Sequence, residues 1–432
     1  MVFFMSTISE VQRPGPLASL DQWLAYLLAI HPTEIEMGLG RVSEVARRMD
    51  LLCLAPSKVI TVAGTNGKGT SCAMLESILR QSGFTVGVYS SPHLLRYNER
   101  VRINQQDVSD AALIDAFCAI ETARAEISLT FFEYATLAGL YLFKAAQLDV
   151  IILEVGLGGR LDATNIIDSS AVILTSIDLD HQEYLGDTRE LVGREKAGVF
   201  RQHCVAVVGE PDLPQSVKDY AEYMQTELCR VGFEFNYHLV DGGQNTWRFT
   251  STHQTYECLP VPSLPLPNAA SVVALVSQVW PQITEQQIAL GLVNAQLAGR
   301  LEPVQQHPLV LLDVAHNPHA ARYLATQLQA YQGRRIVALC GMLKDKDINA
   351  VLTELSPYID QWNLVGLDNP RGASARVLFE ALPDDASRNT AVQFDDIASA
   401  WQAMQQRIAK DDVVIVFGSF YTVAGFKSVL VV

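Results

Sequence analysis

Three things are scarce in this 432-residue chain: paired cysteines, positive charge and long apolar runs. Its seven cysteines (53, 72, 118, 204, 229, 258, 340) include no CxxC pair, so neither a zinc site nor a disulfide framework is spelled out. Reduced thiols in a cytosolic protein are the expectation. Lys and Arg total 32 against 47 Asp and Glu, a formal charge of −15. That balance excludes a general nucleic-acid binder, whose phosphate partner demands basic surface. Anionic small substrates stay compatible if positive charge is gathered locally. No apolar run approaches the roughly 20 residues needed to span a bilayer. Met1–Met5 is apolar, but it is too short for a signal-peptide core and lacks a basic flank. A cytoplasmic protein with no membrane partner is expected. Solenoid-period repeats and low-complexity tracts are also missing. With 49% apolar and 18% charged residues, the composition suits a globular chain of two or three domains.

What is present centres on Lys58-Val-Ile-Thr-Val-Ala-Gly-Thr-Asn-Gly-Lys-Gly-Thr70. An apolar strand runs into a glycine loop that opens a helix, as phosphate binding requires. Gly64, Gly67 and Gly69 let backbone N–H groups turn toward an anion, Lys68 adds a point charge, and the helix from near Thr70 adds its positive end. Met74, Leu75, Ile78 and Leu79 give that helix one apolar face, and Gly83 sits where a C-terminal cap belongs. The loop departs from the usual Walker spacing, since two residues separate Gly64 from Gly67 and a glycine follows the lysine.

The organisation around this loop is an alternation of strands and helices. Ser19 and Gln22 make a capping box ahead of a helix carrying Leu20, Trp23, Leu24, Leu27 and Leu28. Strands are expected near Phe84–Tyr89, Asp149–Val155, Ala171–Ile177 and Cys204–Val208, with a helix over Tyr134–Ala146. From Thr226 to Thr255 short alternating segments suggest antiparallel strands added to the sheet edge. Four prolines between Pro260 and Pro267 precede a helix at Ala269–Trp280, and Ala298–Pro303 looks like a linker. A second alternation follows, with strands at Leu309–Val314, Arg335–Cys340, Trp362–Val365 and Val413–Phe417. The fold class expected is α/β: a P-loop-containing, mostly parallel sheet with helices on both faces, then a smaller Rossmann-like α/β domain. The boundary is placed to give domains 1–298 and 299–432.

Ligands of open parallel sheets bind at the carboxyl ends of strands, and polar residues gather there. Ser90 and Ser91 follow one apolar run, Glu154 ends another and leads into Val155-Gly-Leu-Gly-Gly-Arg160, and Asp178, Asp180 and His181 follow a third. A hydroxyl, a carboxylate and an imidazole beside a phosphate loop suit a hard divalent cation. Singly, each has a plain structural use: Ser91 as a cap, Glu154 in an ion pair, His181 as a loop histidine. Gly156–Gly159 lacks the last glycine of a dinucleotide fingerprint. In the second domain Asp313 and His316 stand at a strand end, before Asn317 as helix cap and Pro318 at the first helical position. A turn held by side-chain hydrogen bonds would use the same Asp-x-x-His spacing.

These residues resemble the Mur ligase superfamily, and within it the folylpolyglutamate synthases, in the bacterial branch that also acts as dihydrofolate synthase. The resemblance rests on Gly64–Thr70, Tyr89-Ser-Ser-Pro-His-Leu94, Leu153–Asn165, Asp180-His181, Gly193-Arg-Glu-Lys-Ala-Gly198, Gly299-Arg300, Asp313–Pro318, Gly341–Asp347 and Phe417-Gly-Ser-Phe-Tyr421. It covers nearly the whole length and implies the Mur ligase architecture, with ATP bound at a cleft between two domains.

The resemblance also implies ATP-dependent amide formation, in which a carboxylate is activated as an acyl phosphate and then attacked by the amine of L-glutamate. By matching positions, Gly64, Thr65, Asn66, Gly67, Lys68, Gly69 and Thr70 would hold the phosphates of ATP. Asn268, Arg300 and Asp313 would contact the nucleotide, and Ser91, Glu154 and His181 would hold one or two Mg²⁺ ions. Lys196 matches a lysine that the family carbamylates, and Lys68, Lys196 and His316 are the candidate catalytic side chains. A pterin would lie against Met37, Gly38, Thr130, Phe131, Phe132, Glu133, Leu161, Asp162 and Ala163, which makes dihydropteroate and reduced folates the expected acceptors. A monomer is favoured. The rival readings are a Mur ligase acting on a cell-wall precursor, which would carry a nucleotide-sugar domain ahead of the loop, and a P-loop switch without synthetic activity. The early position of the loop argues against the first, and Asp313–Pro318 in a whole second domain against the second.

Overall fold

The computed structural model describes residues 12–31, 33, 36–240 and 245–430, so the Met1–Met5 segment lies outside the described residues. The chain divides into two compact units, Met1–Ala295 and Gln296–Val432. No described helix is long and apolar enough to cross a membrane. All seven cysteines are free thiols.

The first unit is built on eight strands: β1 (Lys58–Ala63), β2 (Val86–Tyr89), β3 (Val101–Ile103), β4 (Gln106–Asp107), β5 (Val150–Glu154), β6 (Ala171–Leu174), β7 (Val205–Val208) and β8 (Glu227–Arg230). They lie in the order β4-β3-β2-β5-β1-β6-β7-β8. From β2 to β8 every pairing is parallel, while β3 and β4 add an antiparallel edge. The central strands are continuous runs such as Val59-Ile-Thr-Val-Ala63 and Val150-Ile-Ile-Leu153 because helices cover both faces. One face packs Trp23, Phe117, Tyr134 and Phe143, carried on the helices Leu20–Ala29, Asp110–Arg124 and Phe131–Ala146. The other packs Leu174, Val192, Phe200 and Val217. The Ser19–Gln22 capping box forms as the sequence suggests, and Gly83 takes a left-handed φ of 88° just past the helix Lys68–Gln81.

The antiparallel segments differ from expectation in where they go. β9 (Phe235–Leu239), β10 (Thr246–Ser251) and β11 (Thr255–Pro260) form a separate three-stranded sheet instead of extending the large one. Their apolar residues explain this, since Phe235, Trp247, Phe249 and Leu259 are all buried. The next helix begins three residues earlier than read, at Leu266, because Pro267 fits a first-turn position.

The second unit contains β12 (Glu302–Gln306), β13 (Leu309–Leu312), β14 (Ile336–Cys340), β15 (Gln361–Val365), β16 (Val392–Phe394) and β17 (Val413–Phe417). Their order is β12-β13-β17-β14-β15-β16, parallel apart from β12. The segment read as a linker thus ends inside an edge strand, with Pro303 tolerated at a register shift.

Candidate active site

Strand register brings the polar loops of the first unit to one level. Val62 pairs with Glu154, Ala63 with Leu174, and Tyr89 with Leu153. The loops after β1, β2, β5 and β6 therefore leave the sheet side by side.

The glycine loop needs its glycines for space as much as for conformation. Gly64 has φ +148°, and a Cβ there would come within 1.9 Å of Thr175 Oγ1. Gly67 has φ +86°, and a Cβ would strike the Asn268 amide at 2.7 Å. The helix starts at Lys68 with Gly67 as its N-cap and no side-chain cap bond, which leaves the first-turn N–H groups for an anion. Lys68 Nζ donates to the carbonyls of Gly64 (2.9 Å) and Thr65 (3.2 Å), so its charge is held over the same loop. Asn268 Nδ2 donates to Thr70 Oγ1 at 2.8 Å, and Thr70 Oγ1 donates to the Gly67 carbonyl at 2.9 Å. Asn268 thus fixes the start of the helix.

Thr65 is used differently from expectation. Its N–H donates to the Ser176 carbonyl at 2.8 Å and its hydroxyl donates to the Asp178 carbonyl at 3.0 Å. Both donors are therefore engaged within the protein. The Asn66 N–H likewise donates to Ser176 Oγ at 3.1 Å. The donors that no side chain caps are those of the helix start.

Ser91 and Glu154 are brought together, with the Ser91 N–H donating to Glu154 Oε2 at 3.3 Å. Glu154 is buried at the end of β5. His181 takes φ +51° at the head of the short helix Gln182–Leu185, and its N–H donates to Asp180 Oδ1 at 2.9 Å. Its ring Nε2 lies 3.9 Å from the same carboxylate oxygen. By type, a hydroxyl, a carboxylate and an imidazole are ligands that suit Mg²⁺.

Lys196 is buried in the last turn of the helix Arg189–Ala197. Burial pushes its amine down to about 7, the charge of Lys68 adds to the fall, and Asp180 and Asp162 oppose it. The glycine cluster after β5 holds this turn closely: the Cβ position of Gly159 lies 2.9 Å from the Glu195 and Lys196 carbonyls. Arg160 N–H donates to the Glu195 carbonyl at 2.8 Å, and its side chain donates to the Glu195 carboxylate at 2.8 and 3.0 Å.

On the acceptor side, several residues read as pterin contacts also carry local structure. Thr130 and Glu133 form a capping box, with the Thr130 N–H donating to Glu133 Oε2 at 2.7 Å and Arg41 donating to Oε1 at 3.2 Å. Asp162 is buried and accepts four hydrogen bonds: from the N–H groups of Gly156 (3.0 Å), Leu157 (2.9 Å) and Thr164 (3.0 Å), and from Thr164 Oγ1 (2.6 Å). Desolvation nevertheless raises its carboxyl above the usual range. Asp162 therefore caps the short turn that begins at Ala163. Phe131 and Phe132 are both half-buried and pack against the apolar cluster on that face of the sheet. The Phe132 ring lies 5.9 Å from that of Tyr89, tilted to it by 56°, and fills the space a Gly156 side chain would need. Met37 reaches within 3.9 Å of the Gly158 Cβ position, Gly38 is half-buried, and Leu161 is partly exposed beside Asp162.

Sequence reasoning missed Arg100 and His93. Arg100 is buried, yet among the described residues it forms no ion pair, and its only side-chain hydrogen bond runs from Nε to His93 Nδ1 at 2.8 Å. Its guanidinium lies 5.5 Å from the ring centroids of both Tyr97 and Phe131. Burial, then the Arg100 charge, pushes His93 down to about 4, so the imidazole is neutral and leaves the arginine charge uncompensated. The only advance signal is the place of His93 in the Tyr89–Leu94 motif.

In the second unit Asp313 accepts from the N–H groups of Leu301 (3.0 Å) and Ala315 (2.8 Å). Desolvation raises its carboxyl, with Arg300 opposing. The Arg300 guanidinium stacks 5.4 Å from the Phe420 ring, and the His316 ring lies 6.5 Å from the same ring. His316 Nδ1 is 2.8 Å from the Val314 carbonyl, which makes Nδ1 the protonated nitrogen when the ring is neutral. Asn317 caps the helix Pro318–Leu328 through Oδ1, at 2.9 Å from the Ala320 N–H.

Comparison with known proteins places this arrangement in context. Residues 62–237 match the Mur ligase middle domain, and residues 299–420 match the Mur ligase glutamate ligase domain. The chain is 49% identical over 420 residues to the dihydrofolate synthase/folylpolyglutamate synthase of Escherichia coli K12, covering 97% of this chain and 96% of that one. It resembles the structure of E. coli FolC in complex with DHPP and ADP at a TM-score of 0.93 and 47% identity, over 97% of this chain and 99% of that one. A bifunctional folylpolyglutamate synthase/dihydrofolate synthase structure with Mn, AMPPNP and L-glutamate bound matches at a TM-score of 0.91 and 49% identity, over 98% of this chain and 100% of that one.

Proposed function

The chain belongs to the dihydrofolate synthase/folylpolyglutamate synthase family of Mur ligases, and from that premise we propose how its own residues do the work. It is an ATP-dependent ligase that joins L-glutamate to dihydropteroate and to the glutamate of reduced folates through an acyl phosphate.

The observation that carries the reading is the uncapped helix start at Lys68, reached directly from the strand whose Val62 pairs with Glu154. The N–H groups of Lys68, Gly69 and Thr70 and the Lys68 ammonium hold the transferred phosphoryl group, where charge develops as the acceptor carboxylate attacks phosphorus. Asn268 keeps that helix start in place. Ser91, Glu154 and His181 hold Mg²⁺, which neutralises phosphate charge when bound. Near neutrality about half of the Lys196 amine is unprotonated, against roughly one in 10³ for an ordinary lysine. The free amine attacks CO₂, a C–N bond forms and one proton leaves, giving a carbamate that replaces a buried cation with an anion facing Lys68. In the second unit Arg300 and Asp313 contact the nucleotide, and His316 accepts or carries a proton at Nε2.

Arg100 supports an acid as acceptor, because a buried guanidinium without a carboxylate partner asks for one from the substrate. Phe131 and Phe132 offer aromatic faces for the flat pterin, and Asp162 shapes the turn beneath them. The charge of −15 and the free cysteines favour a cytoplasmic enzyme without a nucleic-acid partner. ADP release that requires glutamate together with dihydropteroate or tetrahydrofolate tests the reading. ATP turnover indifferent to both acceptors would overturn it.

A further inference from the structure

The loops after β1 and β6 are laced together by a set of hydrogen bonds that spans the two halves of the site. The Asn66 carbonyl accepts from Thr175 Oγ1 at 2.6 Å and from Ser176 Oγ at 3.2 Å, while the Asn66 N–H donates to Ser176 Oγ. Thr65 completes the lacing with a reciprocal pair: its hydroxyl donates to the Asp178 carbonyl, and the Asp178 N–H donates back to the hydroxyl, both at 3.0 Å. A threonine has one O–H and one N–H to give. Both are engaged on residues 176 and 178, so nothing of Thr65 is left to donate to a phosphate.

From Asp178 the chain reaches His181 in three residues, through two further local bonds. Leu179 N–H donates to Asp178 Oδ1 at 2.8 Å, and His181 N–H donates to Asp180 Oδ1 at 2.9 Å. These bonds leave little play between the Asp178 backbone and the left-handed His181. Ile177 is clamped on both sides, its N–H donating to Glu210 Oε2 at 2.9 Å and its carbonyl accepting from Arg189 Nε at 3.0 Å. Asp178 is therefore a point at which motion of the histidine is coupled to the phosphate loop, and the Thr65 hydroxyl holds its backbone at both the N–H and the carbonyl.

We propose that Thr65 is a positioning residue that ties the His181 loop to the phosphate loop, so that nucleotide and divalent cation bind as a coupled pair. The idea rests on the reading of Lys68–Thr70 as the phosphate site and of His181 as a metal ligand. It assigns Thr65 an indirect part, and the two parts separate experimentally. A direct phosphate donor strengthens nucleotide binding with or without metal. A brace between the loops strengthens it only when the metal is there to be shared, and its loss is redundant with loss of the histidine.

The test measures binding of a non-hydrolysable ATP analogue to the full chain by titration calorimetry, in MgCl₂ and in EDTA. The proteins are wild type, Thr65→Val, Thr65→Ser, His181→Ala and Thr65→Val/His181→Ala. Valine keeps the shape and removes the hydroxyl, and serine restores it. Thr65→Val should keep its metal-free affinity within about twofold of wild type while losing about tenfold of the metal-dependent gain, a coupling of ordinary size. Thr65→Ser should recover most of it, and the double variant should be no weaker than His181→Ala. Hydrogen exchange of the 176–181 backbone gives a second readout, and it should quicken in Thr65→Val and not in Thr65→Ser. Equal weakening of Thr65→Val with and without metal, or additive losses in the double variant, would overturn the coupling while leaving the metal assignment standing. A His181→Ala protein with the full metal-dependent gain would remove the metal assignment, and the proposal with it.

Discussion

Replacing Lys196 by methionine isolates the energetic cost of burying an amine. Lys196 is enclosed in the first unit, and its pKa falls to about 7, chiefly by burial. In the unfolded chain the same amine titrates near 10.4. Below pH 7 both states hold the proton and the penalty of burial is constant. Between about pH 7 and 10.4 the unfolded lysine keeps a proton that the folded one has released, so stability rises with pH by about 1.4 kcal/mol per pH unit. Methionine has no such dependence and fills a similar volume. Wild type should therefore gain on Lys196→Met by about 2 kcal/mol between roughly pH 7.5 and 9. For a unit of this size that gain is a relative rise in melting temperature of roughly 3 °C. Thermal and urea unfolding of both proteins in EDTA and CO₂-free buffer, without nucleotide, would read it, since the other titrating groups cancel in the difference. A difference that stays flat across this pH range would refute the burial of an unprotonated amine. The same variant should have lost ligase activity, so the expected phenotype near neutrality is a more stable, inactive protein.

Lys68→Ala should fold normally and lose about 10²–10³-fold in kcat, because removing one charge from the transferred phosphoryl group costs about 3–4 kcal/mol; single-turnover acyl transfer checks it, and near-normal turnover would sink the phosphate assignment. Arg100→Met should raise KM for the acceptor acids at least tenfold while leaving ATP binding unchanged, and acceptor titrations at saturating ATP decide it. Asp162→Ala removes the acceptor of four hydrogen bonds and should cost about 3 kcal/mol of stability by denaturant titration. If Asp162 also meets the pterin, that variant should harm the dihydropteroate reaction more than glutamate addition to an existing folate, and parallel assays of the two would show equal loss if it does not. Gly67→Ala should weaken nucleotide binding strongly, since it combines a left-handed φ of 86° with a clash against Asn268, and fluorescence titration with a labelled ADP measures the loss.

Much of this was legible before the fold was known, and the particulars show why. The β1 loop declared itself because an uninterrupted Val59–Ala63 run, two obligatory glycines and an amphipathic helix fall in immediate succession. Asn317 and Pro318 were equally plain, since capping is a local interaction. The separate β9–β11 sheet was not, because alternation names antiparallel strands without naming their neighbours. Thr130 and Glu133 show a different failure: their spacing spells a capping box, and the capping role stood behind the substrate role that the family resemblance suggested. Thr65 and Arg100 were beyond reach for one shared reason. What decides each of them is which donors and acceptors are already engaged, and that depends on partners placed by the tertiary fold.

The lacing of the glycine loop has a consequence for how the protein is made. The loop is seven contiguous residues, but Thr175 Oγ1 holds it across 109 residues of chain, Asp178 across 113, and Asn268 across 198. A chain emerging from the ribosome would display Gly64–Thr70 long before the residues that shape it. ATP affinity should therefore arrive late in synthesis, once the helix Leu266–Val279 has cleared the exit tunnel. Unfinished chains, in which Asn268 is not yet there to donate to the Thr70 hydroxyl, would pass among nucleotides without capturing them.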